Sequence, residues 1–165
     1  MKGHLSLFRQ LWSSLERVLE EANLVHARVA IEWPKSCRKW TRRDVQEVVS
    51  LPEYGLRECC FHGCQFGLVS RHKRSEGVPI LKPWKVMSNC PELLRALDRR
   101  CENYRRNGTH DGVNLHAPCQ GLDTQMTENY TDELVITIHR AHARHVAALA
   151  DAEAFAREAL VLRTS

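Results

Sequence analysis

No run of apolar residues in this chain approaches the ~18 that a membrane-spanning helix needs, so a transmembrane reading is excluded. A secretory signal is missing too: Met1-Lys2-Gly3-His4-Leu5 leads into a helical pattern broken by Arg9, Glu16 and Arg17. The cysteine count is odd, at seven, with no export signal beside it. That points to a reducing, intracellular compartment, the nucleus included, with thiols free or bound to a metal. Asn107-Gly108-Thr109 and Asn129-Tyr130-Thr131 are then chance matches to the glycosylation triplet. Most enzyme signatures are also lacking. There is no Gly-rich phosphate loop, no Gly-x-Gly-x-x-Gly, no Gly-x-Ser-x-Gly and no His-Glu-x-x-His. No internal repeat and no low-complexity tract interrupts the chain.

What is present is a globular composition: 165 residues, 43% hydrophobic and 27% charged, with a formal net charge of +4. The length suits one domain. Leu5, Phe8, Leu11, Trp12, Leu15, Val18, Leu19 and Ala22 recur at three- and four-residue steps and predict an amphipathic helix of about five turns. Residues 25–31 (Val-His-Ala-Arg-Val-Ala-Ile) predict a buried, central, parallel strand that delivers Glu32 at its C-terminal mouth. In open α/β sheets ligands bind at that end of the strands. A Glu there also serves as a loop cap or as the partner of a neighbouring base. Val45, Val48 and Val49 give a short helix ended by Pro52.

Residues 56–69 are β-rich but interrupted by Gly63 and Gly67, which predicts a bulge or two short strands. Residues 78–87 return as an extended run that Pro79 and Pro83 confine to an edge or irregular path. Pro91 opens a helix carrying Leu93, Leu94, Leu97 and Cys101. Residues 102–128 have no regular period, and a loop of that length needs something to order it. A long helix fills most of 132–161. The order of elements reads as α/β, with residues 1–130 forming the body and 131–165 a C-terminal helix packed on it.

Two kinds of chemistry stand out. Cys101, His110, His116 and Cys119 fall in the irregular segment, and mixed Cys/His sets hold zinc tetrahedrally and order loops that have no core. Their spacing fits no zinc-finger signature. Cys59, Cys60 and Cys64, with His62 between them, are a second metal candidate: if that stretch is a strand, Cys60, His62 and Cys64 share one face, where buried thiols are also common core fillers. His139, His142 and His145 drift round a helix and read as polar or interfacial residues. The second kind is basic. Lys35, Arg38, Lys39, Arg42 and Arg43 form one cluster, and Arg71, Lys73, Arg74, Lys82 and Lys85 another. A third holds Arg95, Arg99, Arg100, Arg105 and Arg106. Trp33, Trp40 and Trp84 interleave with the first two. Such residues neutralise phosphates and stack bases. They predict weak, salt-dependent DNA binding, if they are not merely a solvated surface, and a parallel sheet would bring both loops to the mouth that holds Glu32.

Ile31-Glu32-Trp33-Pro34, Cys64-Gln65-Phe66-Gly67, Lys82-Pro83-Trp84, His116-Ala117 and Asn129-Tyr130 form an ordered series. The series resembles the C-terminal half of DNA cytosine-5 methyltransferase-like domains, in particular divergent ones of viruses and mobile elements. The resemblance covers roughly residues 4 to 135. It implies a partial Rossmann-like sheet flanked by helices, and a base-contacting role for Glu32 at the amino edge of a flipped cytosine. Trp33 stands where the family has Asn, and the family's Arg-x-Arg pattern is absent. Its cofactor-binding Gly-rich turn and its nucleophile loop lie upstream of the matching region. The resemblance therefore implies a fragment without methyl-transfer activity alone. S-adenosylmethionine would bind only with an upstream half supplied, and the bare sheet would invite that half or a second copy. A different class fits the same residues: a small zinc-stabilised nucleic-acid-binding module of a mobile element.

Overall fold

The structure is a computed structural model and describes residues 2–102, 109, 110, 113, 114 and 116–164. Five helices and five strands are found among them. α1 spans Lys2–Leu24, α2 Arg43–Val49, α3 Pro91–Leu97, α4 Leu122–Met126 and α5 Asp132–Thr164. β1 spans Ala30–Pro34, β2 Arg57–His62 and β3 Pro83–Ser88, with a two-residue ribbon of β4 (Thr109–His110) and β5 (Val113–Asn114). The fold is mixed helix and strand, with a small sheet and a long C-terminal helix.

The sheet has the order β1-β3-β2, and both pairings are antiparallel. The expected parallel strand over 25–31 is therefore corrected. The strand begins at Ala30, lies on an edge, and carries Glu32 at its middle rather than past its end. The register gives the reason. Ala30 pairs with Ser88, the last residue of β3, so residues before Ala30 have no ladder partner. Asn89 serves them instead: its Oδ1 accepts from the Val29 N–H at 2.9 Å and its Nδ2 donates to the Ala27 carbonyl at 3.4 Å. His26 adopts φ +55°, a turn rather than a strand conformation. The central strand is β3, a correction to the edge or irregular path expected from Pro79 and Pro83. Proline at the first position of a strand removes no ladder bond that the strand needs.

Two apolar cores lie on opposite faces of this sheet. The register puts Cys59, Phe61, Trp84 and Val86 on one face, where they pack with Phe66, Leu68, Ile80, Leu97 and Leu134. Ile31, Trp33 and Met87 look the other way, onto Phe8, Trp12, Leu19, Trp40, Val45 and Tyr54. α1 earns its place through Phe8, Trp12, Leu15 and Leu19, an inward stripe at helical spacing. α5 does so through Leu134, Ile138 and Ala141, while residues 146–158 are exposed throughout. No helix among the described residues is long and apolar enough to cross a membrane.

One end of the sheet collects most of the chemistry. β1 and β2 both run against β3, so their C-terminal ends lie together beside the start of β3. The chain leaving Pro34, the turn after His62 and the approach to Pro83 all meet there. The Lys35 N–H donates to the Pro83 carbonyl at 3.0 Å, and the Gly63 N–H reaches the Leu81 carbonyl at 2.9 Å.

Candidate metal centre

β2 ends at His62, and a 3-10 turn over Gly63–Phe66 follows. The turn breaks the strand alternation. Cys60 and His62 keep one face, while Cys64 is carried away from them toward the segment after α3. Gly63 allows this close turn: a Cβ there would lie 2.6 Å from Leu68 Cδ2 and 3.0 Å from Trp84 Cζ3. Two hydrogen bonds, one to a backbone carbonyl and one to a side chain, hold the facing segment. The His62 N–H donates to the Arg99 carbonyl at 3.1 Å, and the Cys101 N–H donates to His62 Nδ1 at 2.9 Å. His116 comes in from the third side, next to Ala117, whose N–H donates to the Pro79 carbonyl at 2.8 Å.

The result is a group of three donors from three separate stretches of chain. The ligand atoms of Cys64, Cys101 and His116 all lie within 4.8 Å of one another. Cys101 Sγ is 3.5 Å from His116 Nε2. Zinc bonds of about 2.3 Å to sulfur and 2.0–2.1 Å to nitrogen, at the tetrahedral angle, put those two atoms about 3.5 Å apart. Burial pushes the Cys64 thiol up to about 11, with the adjoining Cys101 adding to the rise. Burial also pulls His116 down, and pulls His62 down with help from Lys35, Arg100 and His116. Without a metal the Cys64 thiol keeps its proton and the two imidazoles favour the neutral form.

Of the four ligands expected from the sequence, Cys101 and His116 meet. Cys119 does not join them: it is exposed, with its Sγ 3.5 Å from Thr127 Oγ1, and Cys64 stands in the cluster instead. The His110 side chain lies outside the described residues. Nothing in the local spacing singles out Cys64, because its partners are brought in by the hairpin over 69–79 and by the end of α3.

A second group, Cys90, Glu92 and His145, also has its ligand atoms within 4.8 Å. Here both imidazole nitrogens are engaged by protein. Arg28 Nε donates to His145 Nε2 at 2.7 Å, and Nδ1 meets Glu92 Oε2 at 2.7 Å. An Nε2 that accepts a bond leaves the proton on Nδ1, directed at Glu92. This is a clamp joining α5, α3 and the chain before β1.

Glu32 lies on the face of β1 that also holds its register partner Val86. Tyr130 Oη donates to Glu32 Oε2 at 2.7 Å, and Glu32 Oε1 is buried without a hydrogen-bond partner among the described residues. Burial raises the Glu32 carboxyl above its ordinary value, against the opposing effects of the Tyr130 bond and the Lys82 charge. Lys82, at φ +21°, donates to the Thr127 carbonyl at 2.6 Å and lies 5.2 Å from the Trp84 ring centre. Trp84 and Tyr130 meet edge to face at 6.4 Å.

The basic residues divide. Arg42 pairs with Asp44 at 2.6 Å, Arg43 with Glu47 at 2.7 Å and Lys85 with Glu58 at 2.7 Å. Lys39 sits over the rings of Phe8 and Trp33. Lys35, Arg38, Arg71, Lys73 and Arg74 make no ion pair among the described residues and are exposed. The interleaved tryptophans are not stacking platforms: Trp40 and Trp84 are buried at 4% and 2% exposure, and Trp33 packs against Trp40 at 4.6 Å. Comparison with protein-family models, with curated proteins and with solved structures finds no match to this chain.

Proposed function

We propose that this chain is a zinc-stabilised nucleic-acid-binding module. The observation that carries the reading is the convergence of Cys64, Cys101 and His116 from three separate stretches of chain. A set of two thiolates and one imidazole is suited to zinc, and one ion there ties the irregular segment to the end of the sheet. For the fourth position His110 is offered on sequence grounds alone. The cationic side chains left free of carboxylates supply the nucleic-acid contacts. In this reading the metal is structural, and the chain carries no chemistry of its own. Two measurements on the purified protein test it. Elemental analysis should give one zinc per chain, and a labelled single-stranded oligonucleotide should bind with an affinity that falls as salt rises. A metal-free protein whose circular dichroism ignores chelators would remove the first half of the reading, and binding indifferent to salt the second.

A second reading keeps the likeness to cytosine-5 methyltransferase-like domains, with this chain as an inactive fragment that needs an upstream half. One observation favours it. Glu32, Lys82, Trp84 and Tyr130, from three motifs of that likeness, gather at one place. Against it, the partial Rossmann-like sheet that it implies has parallel strands side by side, whereas both neighbours of β3 are antiparallel to it. Labelled S-adenosylmethionine and duplex DNA separate the readings. The module transfers no label with or without added segments, and the fragment transfers label once its upstream half is present.

A further inference from the structure

A cleft of about 590 Å³ opens beside the end of the sheet, lined by Lys35, Arg38, Trp40, Thr41, Gln46 and Lys85 together with Ser36 and Cys37. Its lining is lopsided in charge. Three cations face it and no carboxylate does. Glu58, the partner of Lys85, is outside the lining, so the four charges leave a surplus of two positive. Its floor is fixed. Trp40 donates from Nε1 to the Pro34 carbonyl at 3.2 Å, and Gln46 donates from Nε2 to the Trp40 carbonyl at 2.6 Å. Lys85 is held between Glu58 at 2.7 Å and the Trp40 ring at 5.3 Å. Lys35 and Arg38 stand at the rim, exposed and free of ion pairs among the described residues. The volume is that of a small-molecule site, and a concave wall of one sign raises the local concentration of its counter-charge.

We propose that this cleft is a phosphoryl-binding site, in which Lys35 and Arg38 close on a phosphate oxygen while Lys85 supplies a positioned third charge. Arg38 brings a planar fork of donors suited to two phosphate oxygens at once, and Ser36 adds a hydroxyl. The buried indole of Trp40 forms a wall and does not stack a base, so the site selects the phosphate and not the sequence. The inference rests on the nucleic-acid reading for the source of the phosphate. The same chemistry also suits a free phosphate, and the experiment separates the two.

The test uses the full chain, the double variant K35A/R38A and, as a charge-matched control, R140A/R144A, which removes two exposed cations of α5 outside the lining. Each is titrated with a labelled single-stranded oligonucleotide at several salt concentrations. Each is also titrated with inorganic pyrophosphate, watched through the Trp40 indole N–H signal. The expected result for K35A/R38A is on the order of tenfold weaker oligonucleotide binding, with a log–log salt slope shallower by about 1.4 for two lost contacts. The control should change far less, and pyrophosphate should shift the Trp40 signal in wild type but not in K35A/R38A. Equal losses in the two double variants would overturn the cleft and leave nucleic-acid binding standing as diffuse charge. A pyrophosphate response lost in K35A/R38A, with no oligonucleotide binding, would support the cleft and overturn the nucleic-acid source. No response to either probe would overturn the proposal.

Discussion

Cys101 Sγ lies 3.5 Å from His116 Nε2, although the two residues are fifteen positions apart in the sequence. Cys64 closes the group from the far side, next to the end of β2. Among the described residues 101, 102 and 116–122, Ala117 is the one that joins the core of Phe61 and Trp84, and a bound ion would add a second tie. Chelation should therefore lower the thermal midpoint. Removing an ion held at about a thousandfold its dissociation constant costs about 4 kcal/mol, which for a domain of this size is roughly 10 °C. A differential scan with and without chelator measures it, and C64S should abolish the difference between the two scans.

The turn that aims Cys64 has its own requirement. Gly63→Ala places a methyl group 2.6 Å from Leu68 Cδ2 and 3.0 Å from Trp84 Cζ3. Overpacking of this kind costs about 1–3 kcal/mol. Leu68 can give way at its flexible end, but the Trp84 ring cannot move without disturbing Phe61 and Tyr130. The variant should fold with reduced stability to urea and bind metal more weakly than wild type. Unchanged stability would mean that the turn has room the contacts do not suggest.

Glu32 and Tyr130 give a pH signature. Burial raises the Glu32 carboxyl in the folded protein above its unfolded value. A raised carboxyl contributes stability that is present below the unfolded value and lost as pH climbs through the folded one. The Tyr130 hydroxyl works against this by bonding the charged form, so Tyr130→Phe should raise Glu32 further and move the loss to higher pH. The lost bond itself should cost about 1 kcal/mol, since Tyr130 is half exposed. An NMR titration of the Glu32 carboxyl in both proteins checks the direction; a value at or below that of an ordinary glutamate in both would contradict it.

Asp123 has the opposite sign. Ser70 Oγ donates to it at 2.6 Å and the Arg71 N–H at 2.9 Å, and these bonds pull its carboxyl below the ordinary value. Its contribution is present above the unfolded value and lost as pH falls through the lowered one. Asp123→Asn should lower the midpoint at neutral pH, and the gap from wild type should narrow in acid. Hydrogen exchange at the Arg71 amide should speed up in the variant. No change there would mean that the carboxylate does not hold the hairpin.

Periodic elements were legible in the sequence and long-range geometry was not. The Phe8, Trp12, Leu15 and Leu19 stripe marks α1 on its own, and the apolar spacing from Leu134 marks α5. Residues 25–31 mislead because their β-branched content is real, whereas their pairing is decided by where β3 ends, at Ser88. Pro83 misleads in the other direction, since its place as first residue of the strand cannot be read from composition. The chain leaves β1 and enters β3 at the same end of the sheet, through antiparallel flanks rather than a parallel core, and there Lys35 and Arg38 share a cleft with Lys85 but not with Arg71, Lys73 or Arg74. Cys101 and His116 could be proposed because the sequence over 102–128 has no regular apolar period. Cys64 could be offered only beside Cys60 and His62, because a 3-10 turn, rather than continued alternation, sends it to Cys101 and His116 instead.

The central claim is that Cys64, Cys101 and His116 bind one metal ion together, and cobalt tests it most directly. Metal-free protein is titrated with Co²⁺ and its absorption followed, alongside C64S, C101S and H116A. Thiolate-to-cobalt charge transfer and intense tetrahedral ligand-field bands should grow to one equivalent and vanish on adding zinc, and each substitution should weaken or abolish them. Absence of these bands in the wild-type chain, or bands that survive C64S and C101S together, would contradict the account.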